Sequence, residues 1–141
     1  MKTKKAFTLV ELLVVIAILA ILATATIVGF TAFTQKAKLS NLEGELKQVT
    51  ELLQLEDYYN DHFEISNGKI YNTDTKENAD DEVANLSTLL SSCSDPELRE
   101  RASRLSYVTE GTVNYVQLTG DDGLWARWNV KTGEITSGKT N

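Results

Sequence analysis

Hydrophobic positions divide the chain into a continuous apolar stretch, a periodic stretch and an alternating stretch. The first runs from Phe7 to Phe30, and after Glu11 no charged residue follows until Lys36. Its length matches the roughly 20 apolar residues that a helix needs to cross the hydrocarbon core of a bilayer. The pattern therefore predicts a membrane-spanning helix near the N-terminus, with one acidic side chain, Glu11, close to its start.

The second stretch carries apolar residues at steps of three and four, as expected for one face of a helix. These positions are Val28, Ala32, Leu39, Leu42, Leu46, Val49 and Leu53. No proline or turn cluster separates them from the apolar stretch, and Gly44 costs about 1 kcal/mol relative to alanine without ending the pattern. We therefore predict one helix from about Phe7 to about Tyr59. It is apolar all round in its first half and apolar on one face in its second.

The region after Tyr59 begins with signals for a hairpin and two short helices. Asn67-Gly68, flanked by hydrophobic residues, predicts a hairpin between Phe63/Ile65 and Ile70/Tyr71. The polar residues 72–82 predict a loop, and residues 83–90 a short helix. The sequence Ser94-Asp95-Pro96-Glu97 predicts a second helix that starts with proline and runs to about Leu105.

The third stretch alternates with a period of two, which is typical of strands. Residues 112–119, 124–130 and 134–137 predict three strands separated by short glycine-containing turns. One face of the middle strand, which we expect to pack on the helix stripe, carries Leu124, Ala126, Trp128 and Val130. The fold class predicted is α+β. A long N-terminal helix, half transmembrane and half amphipathic, packs against a small antiparallel β-meander with short connecting helices.

Charge adds an orientation to this picture. The 141-residue chain, long enough for one ordinary domain, has a formal net charge of −6, yet its first residues are basic, with Lys2, Lys4 and Lys5. The positive-inside rule predicts a cytoplasmic N-terminus and a translocated, acidic remainder. An acidic domain is a poor binder of nucleic acid in general. The cluster of Arg99, Arg101 and Arg104 is either a local basic patch or, as we favour, the solvated face of a helix.

Signals for enzymatic chemistry are weak. Cys93 is the only cysteine, so no intrachain disulfide can form, and we expect it to be a small, half-buried side chain. His62 is the only histidine, which excludes a histidine-rich metal site, and nothing around it supports a nucleophile–base pair with Cys93. No phosphate-binding glycine loop or zinc spacing is present. The sequence predicts no enzyme and no cofactor.

Two further groups are weak candidates for binding sites. Asp121 and Asp122 lie between glycines and form a candidate calcium site, as do the acidic residues 80–82, although acidic residues are common in turns for local hydrogen bonding. Trp125 and Trp128 are candidates for lining a ligand groove, with at least one of them expected in the core.

The N-terminus admits three interpretations. A cleavable secretory signal would use Ala23-Thr24-Ala25 as its small-residue cut site. Against this, Glu11 lies near the start of the apolar region and the helix pattern continues beyond the cut. A plain signal anchor leaves the acidic residue unexplained, although it costs on the order of 2.5–3.5 kcal/mol well inside a bilayer and less near the edge.

The third interpretation rests on a resemblance. KKAFTLVELLVVIAILAILA resembles the N-terminal motif of type IV prepilins and pseudopilins. That motif has a basic leader, a small residue before the cut, and then phenylalanine, threonine, leucine, an aliphatic residue and glutamate ahead of a long apolar helix. The resemblance implies cleavage between Ala6 and Phe7 by a prepilin peptidase, methylation of the Phe7 amine, and a role for Glu11 in assembly.

The resemblance also implies an organisation and a function. Residues 1–6 would be the leader, residues 7–30 the transmembrane and filament-core segment, and residues 31–141 a globular pilin-like domain that includes the amphipathic half of the helix. The mature chain would polymerise into a helical homo-oligomeric filament with an assembly ATPase, a membrane platform and minor pilins. It would pass from the cytoplasmic membrane to the cell exterior and serve adhesion or twitching motility.

The sequence leaves other functions open. A pseudopilin of a type II secretion or competence DNA-uptake system has the same motif, and only the latter would involve nucleic acid. A membrane-tethered binding module is an alternative of another class.

Three features depart from the common pattern of type IV pilins: Ala6 in place of glycine, no proline in the apolar helix, and no C-terminal disulfide. The last favours a Gram-positive lineage. Any local loosening of the helix would centre on Gly29 and its β-branched neighbours.

Overall fold

A computed structural model describes residues 4–59, 63–73 and 86–140 of the chain. Two compact units are present, Met1–Ala37 and Lys38–Asn141. The first consists of the early turns of the N-terminal helix and the residues before it. The second contains the remaining elements and the hydrophobic core.

Helix α1 spans Leu9–Tyr59, in agreement with the predicted helix, although it begins two residues later than Phe7. Its buried residues recur at helical spacing on one face: Leu42, Leu46, Val49, Thr50, Leu53 and Glu56. Leu39 is half-buried, whereas Val28 and Ala32 are exposed. Burial of the predicted stripe therefore starts at Leu39.

The predicted hairpin is confirmed. Strands β1 (Phe63–Ser66) and β2 (Lys69–Asn72) pair antiparallel around a two-residue turn. Asn67 and Gly68 have φ angles of 52° and 75°, the left-handed pair that a type I′ turn requires. Asn72 belongs to β2 instead of the predicted loop, because it pairs with Phe63, and residues 74–82 of that loop lie outside the described part of the chain.

Two short helices follow, α2 (Leu86–Ser91) and α3 (Pro96–Arg101). Residues 83–85 of the predicted first helix are not among those described. Asp95 caps α3 by accepting hydrogen bonds from the backbone N–H groups of Glu97 and Leu98, with Pro96 at the first helical position. The predicted end at Leu105 is wrong. A 3-10 turn covers Ala102–Arg104, and Leu105 is the first residue of a strand.

The four-stranded sheet is an antiparallel meander in sequence order, as predicted in type but with one strand more. Its strands are β3 (Leu105–Glu110), β4 (Val113–Thr119), β5 (Leu124–Asn129) and β6 (Ile135–Lys139). Strand β3 was not predicted. It forms because Leu105 pairs with Leu118 of β4 and buries its side chain, which a helical continuation would not allow.

The core joins the helix stripe to the sheet. Side chains from the second half of α1, from the hairpin, from α2 and α3 and from β3 to β5 form one hydrophobic cluster. The predicted face is confirmed as part of this core, through Leu124, Ala126 and Trp128 of β5 and through Val130 directly after it. The fold is α+β, and the described residues form a long helix and two antiparallel sheets.

Candidate functional site

The first half of α1 presents an apolar surface that none of the described residues covers. An 18-residue window of this helix has a mean hydropathy of 2.8, and none of it is buried. Large aliphatic and aromatic side chains are exposed from Phe7 to Phe33. By length and composition the segment is able to cross a membrane. A surface of this size in water requires a cover, either lipid or other protein chains.

The start of α1 is defined by two reciprocal hydrogen bonds. The Thr8 backbone N–H donates to Oε2 of Glu11 at 2.9 Å, and the Glu11 N–H donates to the Thr8 hydroxyl at 3.3 Å. The Thr8 carbonyl accepts the first helical hydrogen bond, from Leu12 N at 3.3 Å. Thr8 is therefore the N-cap, and the pair forms a capping box. We missed this role in the sequence, although the spacing Thr-x-x-Glu is its signal.

The predicted cleavage residues lie just ahead of this capping box. Lys4 to Thr8 are neither helical nor paired in a strand. Phe7 is 91% exposed, and Ala6 is also exposed. Together with Lys5, Thr8 and Glu11 they line an open cleft of about 310 Å³. The Ala6–Phe7 bond is thus outside the helix and accessible.

Helix α1 continues through Gly29, the predicted centre of any loosening. Around it, threonine hydroxyls donate to backbone carbonyls three residues earlier, from Thr24 to Ile21 and from Thr31 to Val28. Thr26 and Thr34 do the same. Such bonds satisfy the hydroxyls inside an apolar segment but compete with the helix ladder.

Trp125 and Trp128 do not line a common groove, so that part of the binding hypothesis is wrong. Residues three apart on a strand point to opposite faces of the sheet. Trp128 is buried in the core, which confirms the expectation for one of the two, while Trp125 is half-buried on the other face. A Cβ at Gly138 would be 2.5 Å from Cζ2 of Trp125, so the indole lies directly on that glycine.

Arg127 organises the face of the sheet that carries Trp125. Its guanidinium carbon lies 4.6 Å from the Trp125 ring and 5.8 Å from the Tyr115 ring, within the range of cation–π attraction. Its Nη1 is 2.6 Å from a Glu110 carboxylate oxygen, and its Nε donates to Gln117 at 2.7 Å. These contacts tie β3, β4 and β5 together.

Asp121 and Asp122 lie in the 3-10 turn between β4 and β5. Asp122, with φ of 58°, pairs with Lys38 at 2.6 Å between carboxylate oxygen and Nζ. This hydrogen bond lowers the pKa of Asp122 and raises that of Lys38, each supported by the partner's charge. Among the described residues, no group of three or more His, Cys, Asp or Glu side chains is placed to hold a metal ion.

The arginine cluster is engaged inside the domain. Arg104 donates to both carboxylate oxygens of Glu45 at 2.8 and 3.1 Å, and Arg101 donates to the same residue at 3.2 Å. Hydrogen bonds to Glu97 and then to Glu45 raise the pKa of Arg101. Arg99 donates to the carbonyls of Cys93 and Ser94. These contacts give the cluster a structural role within the fold.

Cys93 is more deeply buried than expected, at 1% exposure, and its thiol lies 3.6 Å from the Leu89 carbonyl. A pair with His62 is not tested, because His62 lies outside the described residues. The thiol is packed as a small apolar side chain.

The described residues thus combine an apolar helix that is long enough to cross a membrane, an exposed segment ahead of its N-cap, and an α+β domain. Residues 1–27 match the family model of the prokaryotic N-terminal methylation motif. The chain therefore carries the type IV pilin and prepilin signature. No curated protein and no solved structure matches the chain.

The motif supports a type IV pilin-like or pseudopilin-like precursor and implies processing by a prepilin peptidase followed by pilus assembly. The matched signature is that of structural pilins. The apolar part of α1 together with the motif fits a membrane-anchored pilin.

Proposed function

We propose that the chain is the structural subunit of a type IV pilus, cut between Ala6 and Phe7, methylated at Phe7 and polymerised through residues 7–30 for adhesion or twitching motility. The observation that carries this proposal is the exposed apolar surface of α1, most of which lies inside the matched methylation motif of residues 1–27. Lipid covers that surface in the membrane, and the same segments of neighbouring copies cover it in the filament.

Glu11 supplies the register between copies. Cleavage creates an ammonium group at Phe7, one helical turn before the carboxylate. In a bundle of parallel, staggered helices the carboxylate meets the ammonium of a neighbour. Two such charges about 4 Å apart gain on the order of 4 kcal/mol at an effective dielectric near 20. This offsets the insertion cost of about 2.5–3.5 kcal/mol, and a subunit docked at the wrong height leaves both charges unpaired.

Substitution of Glu11 tests its role in the register between copies. Glu11→Ala inserts into the membrane, and the chains that have lost their leader enter filaments poorly, so the yield of sheared filaments falls relative to the amount of cleaved subunit in the membrane. Glu51, an exposed carboxylate on the second half of α1, provides the control variant Glu51→Ala, which assembles normally. A Glu11→Ala filament yield equal to that of Glu51→Ala would refute the register role.

The same assay separates the proposed pilus from a pseudopilus of a secretion or competence system. A major pilin is abundant in filaments sheared from the cell surface, whereas a pseudopilin forms short assemblies that shearing does not release. If cells with the complete assembly machinery make no filament of either kind, the domain functions as a tethered binding module instead.

A further inference from the structure

The capping box at the start of α1 fixes the residue at which the helix begins. The Thr8 hydroxyl accepts from the Glu11 N–H, and the Glu11 carboxylate accepts from the Thr8 N–H. Neither of these backbone groups has a partner within the helix. Because an N-cap residue has a non-helical backbone, the chain ahead of Thr8 turns away from the helical path. The first helical residue is consequently Leu9, and Phe7 lies ahead of the N-cap.

The residues ahead of the cap do not themselves stop a helix. Lys4, Lys5 and Ala6 are of types that favour helices, alanine most of all. If α1 grew backwards by one turn, the Ala6 carbonyl would accept a hydrogen bond from Val10, and the Ala6–Phe7 bond would become part of the helix. Proteases cut the locally open form of a chain, so a helical bond is a poorer substrate.

We propose that Thr8 and Glu11 are positioning residues for leader cleavage: their capping box holds the Ala6–Phe7 bond outside the helix and exposed. This inference rests on the proposed function. In the reaction, a water molecule is added across the amide by the peptidase. The water oxygen becomes part of the Ala6 carboxylate, and the nitrogen leaves as the Phe7 amine, which takes up a proton.

The capping box gives Glu11 a task before the ammonium group exists. In the uncut chain its carboxylate accepts the Thr8 N–H at 2.9 Å and therefore has a hydrogen-bond partner at the edge of the apolar segment. Glu11 is thus required twice, first as an acceptor in the precursor and later as a charge in the filament. The two requirements differ chemically, because an amide oxygen serves the first and only a carboxylate serves the second.

The test uses the full-length chain in lipid nanodiscs, with a prepilin peptidase from the same host, and measures the initial rate of leader release. Thr8→Val keeps the shape of the side chain but removes the acceptor hydroxyl, and Glu11→Leu removes the acceptor carboxylate. Both should be cut about fivefold more slowly, since loss of a cap typically shifts the local equilibrium by about that factor. Thr8→Ser and Glu11→Gln, which retain the acceptors, should be cut at the wild-type rate.

Two further readouts distinguish positioning from direct recognition of each side chain by the peptidase. The double variant Thr8→Val/Glu11→Leu should be cut as fast as either single variant, because the two residues act as one unit. Effects that multiply to about 25-fold would overturn the proposal. In full-length protein labelled with ¹³C-phenylalanine, the Phe7 signal should shift towards helical values in Thr8→Val and not in Thr8→Ser. A slower cut without that shift would also overturn it.

The failure of this inference and the failure of the proposed function give different results. If the wild-type chain is not cut between Ala6 and Phe7, the proposed function is wrong. If the wild-type chain is cut there, and Thr8→Val and Glu11→Leu are cut as fast as the wild type, only the positioning role is wrong.

Discussion

Leu46 and Leu19 lie on the same helix but in different environments, so the same substitution should destabilise the domain at Leu46 and leave its stability unchanged at Leu19. Leu46 is fully buried in the domain core, whereas Leu19 is 57% exposed on the apolar segment. Leu46→Ala removes hydrocarbon worth roughly 2 kcal/mol at about 0.8 kcal/mol per buried CH₂. The cavity left behind raises the loss of unfolding free energy to about 3–5 kcal/mol. Leu19→Ala leaves the stability of the domain unchanged.

The assay is thermal unfolding of the full chain in detergent, followed by tryptophan fluorescence. Both tryptophans, Trp125 and Trp128, belong to the 38–141 unit, so the signal reports on that unit alone. A loss of about 3 kcal/mol lowers the Tm of a domain of this size by about 15 °C. An unchanged Tm for Leu46→Ala, or an equal fall for Leu19→Ala, would refute the division of α1 into a membrane half and a core half.

Two further predictions concern the 38–141 unit. Gly68→Ala lowers the urea midpoint by more than the equivalent of about 1 kcal/mol, because φ is +75° and the new Cβ would lie 2.7 Å from that of Lys131. Gly44→Ala, in open space on the helix, raises the midpoint by the equivalent of about 1 kcal/mol, and equal shifts of the two variants would contradict the turn geometry. Asp122→Asn reduces stability at neutral pH. The pKa of Asp122 is lowered in the folded state and that of Lys38 is raised. The stability difference between wild type and variant therefore vanishes as pH falls through the folded pKa of Asp122, or as pH rises through that of Lys38. A stability difference that is constant from acid to alkaline pH would exclude the ion pair as its cause.

Local signals in the sequence predicted the elements that depend on local physics. The apolar stretch and the stripe predicted α1 to its last residue, Tyr59, because hydrophobic periodicity and the absence of breakers determine a helix of this kind. Asn67-Gly68 predicted the hairpin because few other residue pairs accept two positive φ angles.

Elements that depend on distant partners were not predictable in the same way. Strand β3 has no clear alternation, and its existence follows from pairing with β4, which only the folded chain brings beside it. The stripe continues to Val28 in the sequence, but periodicity alone does not reveal where burial begins, at Leu39. The capping box of Thr8 and Glu11 was visible in the sequence spacing.

The central claim is that the chain is cut between Ala6 and Phe7 and then functions as a filament subunit. Determination of the intact mass and N-terminal residue of the protein from its own host tests this directly. The account predicts a mature chain that begins with a methylated Phe7. A chain that begins near Thr26, as a secretory signal would produce, or an uncut chain that begins at Met1, would contradict it.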